Sequence, residues 1–355
     1  NISHISSSKL INTLIIISTL LSYNCTFTIN LLAMQKTFTL IVLIAIMLPS
    51  FGSGQSQQNP GISSPDGQLE VTVNLDEQIS WSLYHKNKRI AGPSPVSLSL
   101  KEQGILGKNP VLKRFTTESQ NEIIKTSFYK KSQVKNHYNE LNLVFKKDFT
   151  LQFRVYNEGV AYRFITSIKD EITISGEQAE FIFPGAKKAY VPYVREPVGR
   201  YQVSFESTYD EMALKDIHPD SLIITPLMVE TNNGAKVVIT EAHLEDYPGM
   251  FLTLNDRSNG FTGEYAGYPL EEKQGGHNNL QAFVTKRADY IAQTRGERTF
   301  PWRVLAVAAE DHQLLDNDLV YNLAAPSRVD DPSWIKPGKV AWDWWNDWNL
   351  YNVDF

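Results

Sequence analysis

The chain has 355 residues and a formal net charge of −5, a length that allows one large or two ordinary domains. Residues 1–54 hold two lysines (Lys9, Lys36) and no acid, so the remainder carries 32 basic against 39 acidic groups, a net of −7; a nucleic-acid surface wants a basic excess, and that class of partner is excluded. The single cysteine, Cys25, falls in the same N-terminal stretch, which leaves the rest without disulfide or thiol chemistry and dependent on a large core.

In chain order, residues 1–33 precede the first methionine and are set aside as upstream or leader sequence. From Met34 the chain reads "MQKTFTLIVLIAIMLPSFGSG", with a lysine, an apolar core and small residues, the three parts of a secretory signal over 34–54. Its apolar run is short for a membrane span, so export with cleavage near Gly54 is expected and a stable membrane anchor is not. A flexible N-terminus over 55–63 follows. From residue 64 to 325 the pattern is one of strands. "LEVTVNL" (69–75), "ISWSLYH" (79–85), "LNLVFKK" (141–147), "FTLQFRVY" (149–156) and "VAYRFITSI" (160–168) alternate apolar and polar residues with the period of two of half-buried strands. Turn signals "PDGQ" (65–68), "YNEG" (156–159) and "TNNG" (231–234) punctuate them. Many short strands separated by turns predict a mainly β fold, a large antiparallel β-sandwich. "LAAPSRVDDPSWIKPG" packs three prolines into 323–338 and reads as a linker, placed at 326–338. "KVAWDWWN" then opens 339–355 as an apolar strand without strict alternation, as expected for a strand buried on both faces.

No phosphate-binding glycine loop, paired-histidine zinc helix or nucleophile-elbow serine is present. What remains is carboxylates and aromatics, the equipment of carbohydrate chemistry: sugars stack on rings, and glycosidic cleavage uses paired carboxyl groups. Four stretches stand out. "NHYNELNLVF" (136–145) opens a strand with His137 and a tyrosine, which a turn and a sheet-face aromatic also explain. "VPYVREPVGRYQ" (191–202) sets Glu196 in a Pro/Gly-bent loop, where it either reaches a metal or neighbouring domain or stays solvated. "ITEAHLEDYPGM" (239–250) gathers Glu241, Glu245 and Asp246 at a turn; like charges so close need water, a cation or arginine, and the stretch is either a structural turn or a site wall. Last comes "AWDWWNDW", sugar-facing or packed floor.

The segments "NHYNEL", "FRVYNEGVAYRF", "ITEAHLEDYPGM", "FPWRV" and "PSWIKPGKVAWDWWN" together resemble glycoside hydrolase family 97, from about residue 63 to the end. The resemblance implies exported α-glucosidases and α-galactosidases, with an N-terminal sandwich similar to the galactose mutarotase fold ahead of a (β/α)8 catalytic barrel. It makes "KVAWDWWN" the first barrel strand, with Trp344, Trp345, Asn346 and Trp348 toward the strand's C-terminal end, where barrel sites lie, as substrate-binding groups. The catalytic acid and its nucleophile or base would come from later strands, absent here. The resemblance further implies an active-site Ca2+ held by glutamates, one lent by the sandwich; Glu196 is the carboxylate of the matching loop. "AWDWWN" resembles the retaining, α-galactosidase branch. Two rivals compete: a non-catalytic carbohydrate-binding sandwich, and a mutarotase-like epimerase pairing His137 with Glu241.

Overall fold

The computed structural model describes residues 59–195, 199, 201–202 and 207–340. Its strands are β1 (Gly61–Ser63), β2 (Leu69–Leu75), β3 (Ile79–His85), β4 (Lys88–Leu100), β5 (Gly104–Leu106), β6 (Leu112–Lys125), β7 (Gln133–Phe145), β8 (Phe149–Tyr156), β9 (Gly159–Ile182), β10 (Lys188–Val191), β11 (Asp210–Met212), β12 (Leu227–Glu230), β13 (Lys236–Ala242), β14 (Phe251–Leu254), β15 (Gly260–Glu264), β16 (Pro269–Gly275), β17 (Gln281–Arg287), β18 (Ala292–Thr299) and β19 (Trp302–Ala308). The fold is mainly β, as the alternating patterns predict, and β2, β3 and β8 coincide with three of the quoted segments.

Every pairing is antiparallel. One sheet runs β11–β10–β12–β13–β19–β9–β8–β7–β6. The other joins β1, β2, β3 and β4 to the far end of β9, where β15 and β14 attach on the opposite side. β9, 24 residues long, thus belongs to both layers, a strand that changes sheet at a corner. Between the layers lies the core. Alternation places Leu69, Val71 and Val73 inside from β2, Leu151 and Phe153 from β8, and Trp81 and Leu98 from β3 and β4. The "YNEG" turn needs its glycine: a Cβ on Gly159 (φ +153°) would lie 2.3 Å from the Leu305 carbonyl oxygen, so only glycine lets β9 start against β19.

Three departures from the sequence reading are local. Gly61–Ser63, inside the stretch expected to be flexible, pairs with Thr72–Glu70. β16 and β17 form a separate hairpin. Two short helices, His312–Leu315 and Leu319–Leu323, precede the linker; they are too short to leave a helical period in the sequence. Leu319 and Leu323 pack with Trp302, Tyr156 and Ala161 in a second apolar cluster on the outer face of the first sheet. From Ala324 to Val340 there is no helix or strand, and no described helix is long and apolar enough to cross a membrane.

Candidate functional site

Strand alternation on β19 sends Trp302 to one side of its sheet and Arg303 to the other, into the sandwich. Arg303 is 1% exposed, a position that a guanidinium holds only with full pairing. Its Nε and Nη2 donate to the two carboxylate oxygens of Glu177, both at 2.7 Å, and Nη1 donates to Glu241 at 2.7 Å. Tyr247 Oη donates to Glu177 at 3.0 Å, and the Met250 amide donates to Glu241 at 3.0 Å. The rings of Tyr265 and Tyr247 lie 5.2 and 5.9 Å from the guanidinium carbon. Burial pushes the Glu241 carboxyl up, against the pull of Arg303. Burial also works against the Arg303 charge, yet the facing Glu177 outweighs it and holds the guanidinium protonated.

Glu177 reaches this position through a bulge. β4 pairs Ser99 with Gly176 but Leu100 with Ile174, so Ser175 is the extra residue. That insertion resets the alternation, and Ile174 and Glu177 both point inward.

Beyond β13 the "HLEDYPGM" loop is held by the second arginine of this region. Arg298 donates to the carbonyl oxygens of Asp246 and Glu245, each at 3.1 Å, and to Thr294 Oγ1 at 3.0 Å. His243 and Asp246 have φ of +56° and +48°, the left-handed region that His and Asp enter more readily than most residues with a Cβ. Glu245 meets Arg328 of the linker at 3.0 Å. The acidic cluster seen in the sequence is therefore served by arginines: Glu241 faces the interior, Glu245 the linker, and Asp246 solvent.

The second loop, 192–209, is anchored on both flanks of Glu196. Arg195 pairs with Asp210 at 2.8 Å, Tyr201 Oη donates to Glu264 at 2.7 Å, and Gln202 accepts the Val284 amide at 2.7 Å. These contacts tie Arg195 to β11, Tyr201 to β15 and Gln202 to β17. Glu196 itself lies outside the described residues, as do Trp344, Trp345, Asn346 and Trp348. Among the described residues no group of three or more His, Cys, Asp and Glu could hold a metal ion. A single carboxylate from this loop would fill only part of the roughly six to eight oxygen positions that calcium takes.

His137 lines a cavity of about 550 Å³ with Glu158, His312 and Asp318, where burial pushes the Glu158 carboxyl up. Glu241 does not line it, so the structure does not bring His137 and Glu241 to one cavity, and the acid–base pairing of the epimerase reading has no geometry behind it.

Sequence reasoning missed Arg303, Glu177 and Arg298. "FPWRV" contained the first, but an arginine inside an apolar strand was the only signal. On the outer face of the same sheet Trp302 lies between Arg163 and Arg154, 4.2 and 5.1 Å from their guanidinium carbons. Arg154 donates to Glu140 at 2.7 Å and Arg163 to Gln152 at 2.8 Å.

These elements define a large antiparallel β-sandwich with two tied-down loops, and comparison with known proteins places it in a family. The family model for the glycosyl-hydrolase 97 N-terminal region matches residues 62–326. The chain belongs to that family. It is 41% identical over 326 residues to a retaining alpha-galactosidase of Bacteroides thetaiotaomicron, covering 90% of this chain and 49% of that protein. It is 26% identical over 196 residues to a probable retaining alpha-galactosidase of Streptomyces bingchenggensis, covering 55% of this chain and 26% of the relative. A glycoside hydrolase family 97 enzyme from Pseudoalteromonas sp. strain K8, solved in complex with acarbose, superposes with a TM-score of 0.67 at 22% identity, over 79% of this chain and 40% of that one. The chain thus spans about half the length, or less, of the relatives it matches.

Proposed function

We propose that this chain is the N-terminal part of an exported, calcium-dependent α-glycosidase that hydrolyses α-linked oligosaccharides, with galactose favoured over glucose at the cleaved position. The observation that carries the reading is the 41% identity to a retaining alpha-galactosidase over 90% of the chain. Retention would entail a covalent glycosyl-enzyme intermediate formed by a nucleophile about 5 Å from the acid/base. Neither group is assigned to this chain, and both are expected from the region that the relatives carry beyond it.

In this reading the sandwich supplies shape and one ligand. Glu196 would be that calcium ligand, in the stretch whose flanks are tied down at Arg195 and Tyr201. When bound, calcium would polarise the substrate or steady the charge of neighbouring acids. The tryptophans 344, 345 and 348 with Asn346 would face the sugar. Export follows from the 34–54 signal and points to the periplasm or outer membrane of a Gram-negative bacterium.

Purified residues 55–355 should not hydrolyse nitrophenyl α-galactoside above a buffer blank, whereas the protein extended to the length of its relatives should. Chelation should abolish that activity, and Glu196→Gln should raise the calcium concentration needed to restore it. Extended protein that cleaves only β-linked substrates would overturn the reading, and activity insensitive to chelation would remove calcium from it. The non-catalytic binding module takes precedence if the extended protein binds α-galactosides without cleaving them.

A further inference from the structure

Between the "HLEDYPGM" loop and the base of the β16–β17 hairpin lies a slot of about 220 Å³. That is less than the roughly 300 Å³ at which pockets for drug-sized ligands begin, so it suits one small ring. Tyr247, Pro248, Tyr268 and Pro269 form its apolar walls, and Asp246, Arg287 and Gln293 reach its rim. We propose that this slot binds one sugar ring of an α-linked oligosaccharide, as a carbohydrate subsite contributed by the sandwich domain; the choice of an α-linked sugar rests on the glycosidase reading above.

Three features support a neutral, hydroxylated ring. The walls are rigid: Tyr268 is tied to its neighbours by backbone bonds, its amide donating to the Tyr290 carbonyl at 2.8 Å and its carbonyl accepting from Ala288 at 2.9 Å. Its ring stacks on Tyr290 with centroids 5.5 Å apart and is still 40% exposed, an aromatic surface placed to take the apolar face of a pyranose. The polar groups keep hydrogen-bonding capacity. Arg287 is fixed by donating Nη1 to the Gly267 carbonyl at 2.8 Å and by lying 5.5 Å from the Tyr201 ring, which leaves its other nitrogens without a hydrogen bond among the described residues. The Asp246 carboxylate has neither a hydrogen bond nor an ion pair there: Arg298 donates to the backbone carbonyl of Asp246 and meets its carboxylate only through longer-range attraction. Finally, the rim carries one anion and one cation. A phosphate, sulfate or ammonium ligand would meet a like charge, whereas vicinal hydroxyls donate to a carboxylate and accept from a guanidinium at once.

The test is saturation-transfer NMR on the whole chain with melibiose as the α-linked probe and cellobiose as the β-linked control. Melibiose should receive saturation, cellobiose at least tenfold less, and Tyr268→Ala or Asp246→Asn should each weaken melibiose binding at least tenfold. Both positions are exposed, and thermal melts of the variants establish that they fold. A wild-type chain that transfers nothing to melibiose, equal transfer to both sugars, or folded variants that bind as the wild type does would each overturn the proposal. Loss of melibiose binding together with intact α-galactoside hydrolysis by the extended protein would sink the slot and leave the glycosidase reading standing; binding without hydrolysis would do the reverse.

Discussion

Trp302 and Arg303 are neighbours in one strand and sit in inverse environments. Inside the sandwich a cation is enclosed by two carboxylates and two tyrosine rings; outside, an aromatic ring packs in an apolar cluster and carries two guanidinium groups against it. The inner arrangement must be complete, because a charge removed from water has no substitute for a missing partner. The outer one is graded: Arg154 is paired with Glu140, while burial and the charge of Arg154 hold the Arg163 pKa down to about 10. The same dipeptide therefore contributes a strict interaction on one face and a tolerant one on the other.

Breaking the strict side should give the largest effect. Arg303→Met leaves Glu177 and Glu241 buried and unpaired and should cost about 3–5 kcal/mol in urea unfolding; a loss below about 1 kcal/mol would mean that both carboxyls are already protonated or hydrated. Arg303→Lys should recover little, since an ammonium cannot serve Glu177 through two parallel bonds. Next, Glu177→Gln should cost about 2–3 kcal/mol and Glu241→Gln less, because hydrogen bonds to charged groups are worth about 1.5–3 kcal/mol and burial already disfavours the Glu241 charge. Equal losses would show that the bidentate geometry carries no advantage. On the tolerant side, Arg163→Met should change stability by less than about 1 kcal/mol, the range of a partly exposed cation–π contact.

The contrast also marks what the sequence could tell. Period-two alternation located β2, β3 and β8 because each sends alternate apolar side chains into the core between the sheets. It could not locate Glu177, which points inward only because Ser175 shifts the register of β9 against β4, and a bulge leaves no pattern in one sequence. The acidic cluster at 241–246 was visible as a problem of like charges, but its solution was not, since Arg298, Arg303 and Arg328 arrive from residues more than fifty positions away. Glu196 and the tryptophans at 344–348 stand out by residue type and local context, but their roles come from the family resemblance, and they fall outside the described residues, so those roles rest on that resemblance.

A third charged group, with an intermediate degree of burial, sharpens the comparison through pH. Asp318 accepts from Tyr129 Oη at 2.8 Å and pairs with Lys131 and, at 3.3 Å, Lys130, joining the tip of the β6–β7 hairpin to the segment ahead of the linker. Burial alone would raise its carboxyl, but the hydrogen bonds from Lys131, Tyr129 and Lys130 hold it below the ordinary value of 3.8, while Tyr129 is pushed up to about 12 by burial and by Asp318. A depressed carboxyl contributes stability that is present above the unfolded pKa and lost as pH falls through the folded one. Asp318→Asn should therefore lower the melting temperature by about 2–4 °C at neutral pH, as a loss near 1 kcal/mol does in a domain of this size. The gap between variant and wild type should stay constant down to about pH 4, near the unfolded pKa, and then close. A gap that persists at pH 2 would mean that Asp318 acts through shape and neutral hydrogen bonding, and that the clasp is no more sensitive to protonation than the Trp302 sandwich.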